Sequence, residues 1–192
     1  MNSWEEMYQS TPPWDIGKPQ PEFVKLEKSG KIQGQILDVG CGAGENTLFF
    51  SEKGYDITGV DFTPSAIAMA KQRAKQRHLN AKFIIQNVLE LSNLQQKFDT
   101  LIDSGVFHVF DDEQRVHYVK SLGSVLREQG IYYMLVFSDQ EPLGYGPRRI
   151  SQLEIQEAFR DGWDIQQIRE ARMEQNLSKK WAQAWLASII KL

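Results

Sequence analysis

Three glycines at alternate positions, with a carboxylate on either side, are the part of this sequence best suited to hold a small charged molecule. Gly40, Gly42 and Gly44 begin two residues after Asp38. Glu45 follows them directly. Glycines permit a sharp turn and leave the backbone open to a ligand. Because the two acids would repel a pyrophosphate, we expect a ligand that carries an ammonium or sulfonium charge.

A predicted strand leads into this turn and a predicted helix leaves it. Residues 35–39 are short and largely apolar, which is typical of a strand covered on both faces. Residues 46–53 predict a helix, and Gly54 stands at its C-terminal capping position. Nucleotide-binding folds use the same order of strand, glycine-rich loop and helix. The spacing GxGxG differs from the GxGxxG of dinucleotide sites, so an NAD-dependent oxidoreductase is disfavoured.

The run Asp38-x-Gly40-x-Gly42-x-Gly44 resembles the first motif of class I S-adenosylmethionine-dependent methyltransferases. The resemblance implies that S-adenosylmethionine is the methyl donor and S-adenosylhomocysteine the product. It also implies that the turn binds this cofactor through Asp38, Gly40, Cys41, Gly42 and Gly44.

The next two predicted strands end in residues suited to the adenosine part of such a cofactor. Asp61 follows the second strand, 17 residues after Gly44, where an acid can accept both ribose hydroxyls. Phe62 is predicted to stack on the adenine, with a place in the core as the alternative. The family usually has an aspartate where Asn87 stands after the third strand. Adenine recognition is therefore expected from the Asn87 oxygen and the backbone amide of Val88.

The fourth predicted strand, 98–103, should end near the reactive methyl group. Ser104 follows it and is expected to contact the cofactor, with Phe107 and His108 beyond it. The ends of all four strands meet at one edge of a parallel sheet, where ligands bind in open α/β folds. His108 is a candidate general base for an oxygen or nitrogen nucleophile, while a thiolate or halide would need none. The alternative for His108 is a packed histidine.

The remaining pattern predicts the rest of the architecture. A helix begins at Asp111 and is predicted to end at Gly130, with the buried stripe Val116, Val119, Leu122 and Leu126. A strand over 131–137, a helix opened by a capping box at Ser151, and weaker strands over 165–173 and 184–191 follow. The last segment could instead be a helix. The expected fold is α/β: a doubly wound, mostly parallel, seven-stranded Rossmann-like methyltransferase sheet with helices on both faces and a possible antiparallel C-terminal strand.

The N-terminal segment narrows the resemblance. Trp4 and Tyr8 are one helical turn apart, and residues 11–21 are rich in proline around Trp14. Together with the glycine turn, residues 8–21 resemble the small-molecule methyltransferases that include halide/thiol and thiopurine enzymes and methyltransferases of heterocyclic toxins. The resemblance implies one domain, 1–192, in which residues 1–30 form a lid over the pocket. The expected acceptor contacts are Tyr8, Trp14, Phe107, His108 and Arg148, and Trp14 is also expected to contact the cofactor.

Composition limits the partners. The chain has 22 basic and 25 acidic residues and a net charge of -3, so it lacks the basic surface of a nucleic-acid-binding protein. The basic run 71–77 is interpreted as a solvated helix face. Cys41 is the only cysteine, so neither an internal disulfide nor a thiolate zinc cluster is expected, and no metal is predicted. The sequence predicts no signal peptide, no membrane association and a cytoplasmic location, and leaves open whether the protein is a monomer or a homodimer.

The predicted reaction is in-line transfer of a methyl group to sulfur, oxygen, nitrogen or halide in a small, aromatic or apolar acceptor. The main alternative is a non-catalytic S-adenosylmethionine-binding or regulatory protein, because a fold does not establish turnover. An RNA or protein methyltransferase is less favoured. The Asn/Asp-Pro-Pro-Tyr/Phe motif of many nucleic-acid amino-group methyltransferases is replaced here by the run Ser104–Phe107.

Overall fold

A computed structural model describes residues 4–144, 146–178 and 180–192 of the chain. Within these ranges seven strands form one sheet: β1 (Ile36–Val39), β2 (Ile57–Asp61), β3 (Lys82–Ile85), β4 (Phe98–Ser104), β5 (Leu126–Phe137), β6 (Trp163–Glu174) and β7 (Trp181–Lys191). The helices are α1 (Trp4–Met7), α2 (Pro21–Lys28), α3 (Glu45–Glu52), α4 (Pro64–Gln76), α5 (Asp112–Val125) and α6 (Gln152–Ala158), with 3-10 helices at Val88–Leu94 and Phe107–Val109.

The sheet has the strand order β3-β2-β1-β4-β5-β7-β6. Strands β1 to β5 are parallel, and β7 runs antiparallel to both β5 and β6. This arrangement confirms the predicted fold. The helical alternative for the last segment is wrong. Trp181, Trp185 and Ile189 recur every four residues, and because four is a multiple of two they also share one face of a strand.

Helix α5 ends earlier than predicted. It stops at Val125, and Leu126 already belongs to β5, so Gly130 lies inside a strand instead of ending the helix. The Nζ of Lys191 donates to the carbonyls of Gly123 and Leu126, which satisfies acceptors at this helix end. Val116 is 70% exposed, so it does not belong to the buried stripe.

Apolar side chains cover both faces of the sheet. On one face the core includes Leu122 of α5 with Tyr132 and Phe159. On the other it includes Phe23 of α2 with Ile36 and Phe50. Because both faces are covered, ligand access is confined to the edges and ends of the strands.

The strand register brings the predicted site residues to one edge. Val39, the last residue of β1, pairs with Val60 of β2 and with Asp103 of β4. Asp61 in turn pairs with Ile85 at the end of β3. The loops that follow these four strands therefore leave the sheet side by side.

Candidate cofactor and acceptor site

The glycine turn is in close contact with two other segments. Gly40 has φ +69°, and a Cβ added there would lie 2.2 Å from Cγ2 of Val106 in the loop after β4. Gly42 has φ +54°, and its Cβ would lie 2.8 Å from Oη of Tyr8. Only glycine fits these positions, since both the backbone angle and the space exclude a side chain. The turn therefore offers backbone, without side chains, at the carboxyl end of β1.

The Cys41 thiol lies beneath this turn and donates to the Gly42 carbonyl at 3.7 Å. It is buried in a cluster with Leu48 and Phe83. A Cβ added to Gly59 would lie 2.9 Å from its sulfur. The Cys41 N–H donates to the carbonyl of Val60 at 2.8 Å. Because the sulfur is buried, the predicted cofactor contact of Cys41 is left to its backbone.

Two acids at the turn are held by short hydrogen bonds. The Thr47 hydroxyl donates to Oδ2 of the buried Asp38 at 2.7 Å. Asp61 accepts the N–H of Gly42 at 3.0 Å through Oδ2 and the N–H of Thr63 at 2.9 Å through Oδ1. Asp61 thus joins the loop after β2 to the glycine turn, and its half-buried carboxylate also interacts with the Thr63 side chain and the Phe62 backbone.

Burial and mutual repulsion make the negative charges of these acids unfavourable. Burial raises the pKa of Asp38 to about 7, and the carboxylates of Asp103 and Asp61 act in the same direction. Burial also raises the pKa of Asp61. None of the salt bridges between described residues includes Asp38, Asp61 or Asp103. A bound cation would relieve this repulsion, which is the charge preference predicted for the site.

Glu45, the second acid flanking the glycines, does not contribute to that preference. Arg77 donates to both of its carboxylate oxygens at 2.7 and 2.9 Å, and Arg73 donates to one at 3.0 Å. The interpretation of run 71–77 as a solvated face is therefore wrong for Arg73, whose side chain is 22% exposed, whereas the Arg77 side chain is 41% exposed. Helical periodicity alone cannot reveal that an acid from another helix lies against them.

The residues expected around the adenine differ in how much of each remains free to contact a ligand. The Phe62 ring is 51% exposed, so it does not fill the core and its surface is free to stack. The Asn87 Oδ1 accepts the N–H of Leu89 at 3.0 Å and caps the 3-10 helix that follows. The Val88 side chain is buried, and its carbonyl accepts from the Ser121 hydroxyl at 2.7 Å. Asn87 keeps one acceptor position and its amide donors for a ligand.

Asp103, at the end of β4, is an anchoring residue that sequence reasoning missed. One carboxylate oxygen accepts the N–H of Val106 at 2.7 Å. The other accepts the hydroxyls of Tyr118 and Tyr132 at 2.9 and 2.7 Å and the N–H of Phe107 at 3.2 Å. These bonds fix the turn that begins at Ser104, which is half-buried, and place Val106 against Gly40. The one signal in the sequence is an acid at the end of an apolar strand.

His108 is buried with its ring engaged. Its Nδ1 accepts the N–H of Phe137 at 3.1 Å, so the ring proton of the neutral form is on Nε2. Burial lowers the pKa of His108 to about 3, and the charges of Arg149 and Arg115 act in the same direction. A neutral ring whose free lone pair already accepts a hydrogen bond is poorly suited to take a proton. The packing interpretation is therefore favoured over general-base catalysis.

Two of the expected acceptor contacts are corrected by the structure. Phe107 is fully buried, with its ring against Tyr118 and Phe159, so it belongs to the core. Arg148 forms ion pairs with Asp112, at 2.6 Å, and with Glu154. Both acids lie at the starts of helices, where they hold the guanidinium on the outer surface. An arginine in a long loop after β5 could not be distinguished from a ligand-binding one by sequence.

Tyr8 and Trp14 lie together over the glycine turn. The Trp14 indole N–H donates to the Tyr8 hydroxyl at 2.9 Å. Trp4 packs on Trp14 with ring centroids 5.3 Å apart. A Cβ on Gly42 would lie 3.9 Å from Cδ1 of Trp14. The N-terminal segment thus places an aromatic surface beside the backbone of the turn.

Known proteins share both this sequence and this arrangement. A 2-heptyl-1-hydroxyquinolin-4(1H)-one methyltransferase of Mycobacteroides abscessus is 35% identical over 174 residues, which are 89% of this chain and 77% of that protein. Residues 36–130 match the family described as a methyltransferase domain. This chain belongs to the class I S-adenosylmethionine-dependent methyltransferases. S-adenosylmethionine is accordingly its cofactor.

Two further relatives of this methyltransferase are informative. A solved protein from work on the conversion of a disulfide bond into a thioacetal group during echinomycin biosynthesis superimposes with a TM-score of 0.90. It is 33% identical, and the match covers 98% of this chain and 91% of that one. A probable thiol methyltransferase of Arabidopsis thaliana is 25% identical over 160 residues, 81% of this chain and 70% of that protein. The resemblance to small-molecule methyltransferases is thus confirmed.

Two features are absent from residues 4–144, 146–178 and 180–192. No helix there has both the length and the apolar character needed to cross a membrane. No group of three or more histidine, cysteine, aspartate or glutamate residues in the same ranges could hold a metal ion.

Proposed function

We propose that this methyltransferase methylates an ionised oxygen or sulfur of a small, flat, largely apolar acceptor. It would act as a single domain in which residues 1–30 cover the pocket, residues 1–3 lying outside the described part of the chain. S-adenosylmethionine supplies the chemistry as an electrophilic methyl group on a sulfonium. The protein's own residues bind, align and shield the two partners. Alignment of this kind is worth roughly 7–11 kcal/mol in favourable cases.

The residues at the carboxyl edge fit this cofactor. Asp38 and Asp61 are raised-pKa carboxylates that a cationic ligand would stabilise. Asp61 is assigned to the ribose hydroxyls and the exposed Phe62 ring to the adenine. The glycine backbone takes the methionine part, with Ser104 at the neighbouring strand end. Asn87 and the Val88 amide complete the adenine contacts in this proposal.

The observation that carries the acceptor proposal is the state of His108. Because its pKa is lowered to about 3 and its Nδ1 is engaged, it offers no ready base near the loop after β4. An acceptor that has already lost its proton in solution needs no such base. The names of two relatives, a hydroxyquinolinone methyltransferase and a probable thiol methyltransferase, agree with acidic O–H or S–H acceptors. Tyr8 and Trp14 are proposed to contact the apolar part of the acceptor.

Calorimetric titration with S-adenosylmethionine tests the cofactor site. We expect the wild type to bind and Asp61→Ala to bind at least about tenfold more weakly, since it removes a charge-assisted acceptor. Asp56→Asn is the matched control, because Asp56 is exposed and lies just before the first residue of β2, at the opposite end of the strand from Asp61. Equal binding by wild type and Asp61→Ala would contradict the assignment of Asp61.

A screen with a labelled methyl donor tests the acceptor class. The panel should pair acidic N-hydroxy heterocycles, phenols and thiols with otherwise similar compounds that do not ionise below pH 9. We expect transfer only to the ionising members, with a rate that rises with pH through each acceptor's own pKa. Transfer to neutral alcohols or amines would contradict the proposal. Tight cofactor binding with no transfer to any member would instead support a non-catalytic protein.

A further inference from the structure

Four alternating charges connect the N-terminal segment to α3, which follows the glycine turn, and to α4. Arg73 of α4 binds Asp15 with two hydrogen bonds, at 2.6 and 2.9 Å. The same guanidinium donates to Glu45 of α3, which also accepts from Arg77. The Asp15 side chain is 3% exposed and that of Arg73 is 22% exposed. Such a shielded, bidentate pair stabilises its geometry far more than a surface pair does.

The segment that carries Asp15 crosses the site as a strap, defined here as residues 8–20. At its far side the carbonyl of Pro13 accepts the N–H of Asn176 at 2.6 Å. At its end Gln20 accepts the N–H of Glu174, donates to the Glu174 carbonyl, and donates its own N–H to Asn46. The strap is therefore fixed to the hairpin of β6 and β7 on one side and to α3 and α4 on the other.

Tyr8, at the start of the strap, and Trp14, in its middle, lie on the backbone that binds the cofactor in the proposed function. Tyr8 Oη occupies the side of Gly42 that a Cβ would take, at 2.8 Å from it. Trp14, which donates to this hydroxyl, comes directly before Asp15 in the chain. The ion pair with Arg73 thus holds Asp15, the neighbour of Trp14, and Trp14 lies over the turn. A ligand that reaches Gly42 from this side requires the strap to move.

We propose that Asp15 and Arg73 are positioning residues that latch Tyr8 and Trp14 over the glycine turn and thereby set the rate at which cofactor enters and leaves. The latch changes the rates at which the cofactor binds and dissociates. The equilibrium affinity for the cofactor depends on the residues beneath the strap. It rests on the proposed function only for the position of the cofactor at the glycine turn. Asp15→Asn is the mildest test, because Arg73 keeps its contact with Glu45 and no buried cation is left unpaired.

The test measures association and dissociation of tritiated S-adenosylmethionine by rapid filtration, with no acceptor present. For Asp15→Asn we expect both rate constants to rise about tenfold, the factor for about 1.4 kcal/mol of lost latch energy, with Kd changed less than about threefold. Arg73→Gln combined with Asp15→Asn should add little to the single change, since both residues act in one pair. Asp56→Asn, an Asp-to-Asn change in an exposed ion pair, should leave both rates unchanged.

Unchanged rates in Asp15→Asn would overturn the latch. An increase in dissociation alone, with Kd weakened by the same factor, would also overturn it, because the strap would then be a binding contact and not a gate. A merely structural role would lower the melting temperature but leave both rate constants equal to those of the Asp56→Asn control, and would likewise overturn the latch.

Hydrogen exchange on the cofactor-free protein separates this proposal from the cofactor assignment. Amides of residues 8–20 should exchange about tenfold faster in Asp15→Asn than in wild type, while those of β4 and β5 keep their protection. Equal exchange in the strap would overturn the latch even if S-adenosylmethionine binds. A wild type that fails to bind S-adenosylmethionine, with a strap that opens as expected, would overturn the cofactor position alone.

Discussion

Asp38 is a fully buried carboxylate whose side chain accepts one hydroxyl, that of Thr47. With its pKa raised to about 7, its charge costs folding free energy above neutral pH in the absence of a ligand. We predict that Asp38→Asn stabilises the cofactor-free protein at pH 8 by on the order of 1–3 kcal/mol, because the amide oxygen can still accept from Thr47. Urea denaturation at pH 8 measures this gain.

The same substitution should weaken S-adenosylmethionine binding by more than about tenfold, since the carboxylate is the group that attracts its positive charges. Thr47→Val is the comparison: it removes the hydrogen bond but leaves the charge, and should lower stability instead of raising it. If Asp38→Asn were less stable than wild type at pH 8, the Asp38 charge would not destabilise the folded protein, contrary to the prediction.

His108 leads to a prediction about selectivity. A general base contributes roughly 10²–10⁴ in rate for an acceptor that must lose a proton and nothing for a thiolate. Because its Nδ1 is engaged by Phe137, we predict that His108→Gln changes kcat/KM for a phenol and for a thiol by the same factor, to within about threefold. Steady-state kinetics on one phenol and one thiol of similar shape decide this. A loss confined to the phenol would restore His108 as the base.

At the scale of elements, the turn between β4 and α5 depends on Asp103. Its carboxylate holds two backbone N–H groups of the turn and two tyrosine hydroxyls, one from α5 and one from β5. We predict that Asp103→Asn destabilises the protein by roughly 2–4 kcal/mol, because the amide nitrogen must face hydrogen-bond donors. Tyr132→Phe removes one of the four bonds and should cost only about 1 kcal/mol. Thermal or urea unfolding of the two variants gives the comparison; equal losses would argue against a shared anchor.

The elements that could be predicted from the sequence are those with a local cause. The glycine turn, the strand before it and Asp61 follow from backbone freedom and strand periodicity, so their positions at one sheet edge could be predicted. The end of α5 could not, since it depends on Lys191, which lies 66 residues after Val125. The partners of Arg73 and Arg148 were missed for the same reason, because ion pairs between distant segments leave no periodic signal.

At the scale of the whole molecule, charge is separated across the strand ends. Asp38, Asp61 and Asp103 lie at the ends of β1, β2 and β4. Beyond the loop after β4, the guanidinium of Arg115 lies 5.0 Å from the centre of the Phe107 ring and that of Arg149 lies 5.3 Å from the Phe137 ring. Both lower the pKa of His108. Arg115 also pairs with Glu154 and Asp112, so the three acids at the strand ends define the side that favours a cationic methyl donor.

The buried acids also determine how the stability of the whole protein depends on pH. Burial raises the pKa of Asp38 to about 7 and that of Asp103 to about 6, from ordinary values near 4. Between pH 4 and 7 the folded state therefore binds more protons than the unfolded state, and the free energy of unfolding falls as pH rises. Below pH 4 the opposite change sets in: although burial opposes it, hydrogen bonds from Lys25 and Arg169 lower the pKa of Glu22, and hydrogen bonds from Ser151 and then Arg115 lower that of Glu154.

We therefore predict that the cofactor-free protein is most stable near pH 4 and loses on the order of 2–5 kcal/mol between pH 5 and pH 8. Saturating S-adenosylmethionine should restore most of this loss, because a cation favours the ionised acids, and its affinity should accordingly fall as pH drops from 8 to 5.5. Urea denaturation from pH 4 to 9, with and without cofactor, measures both effects. In Asp38→Asn the decline between pH 5 and 8 should shrink by about half; an unchanged decline would assign it to other groups.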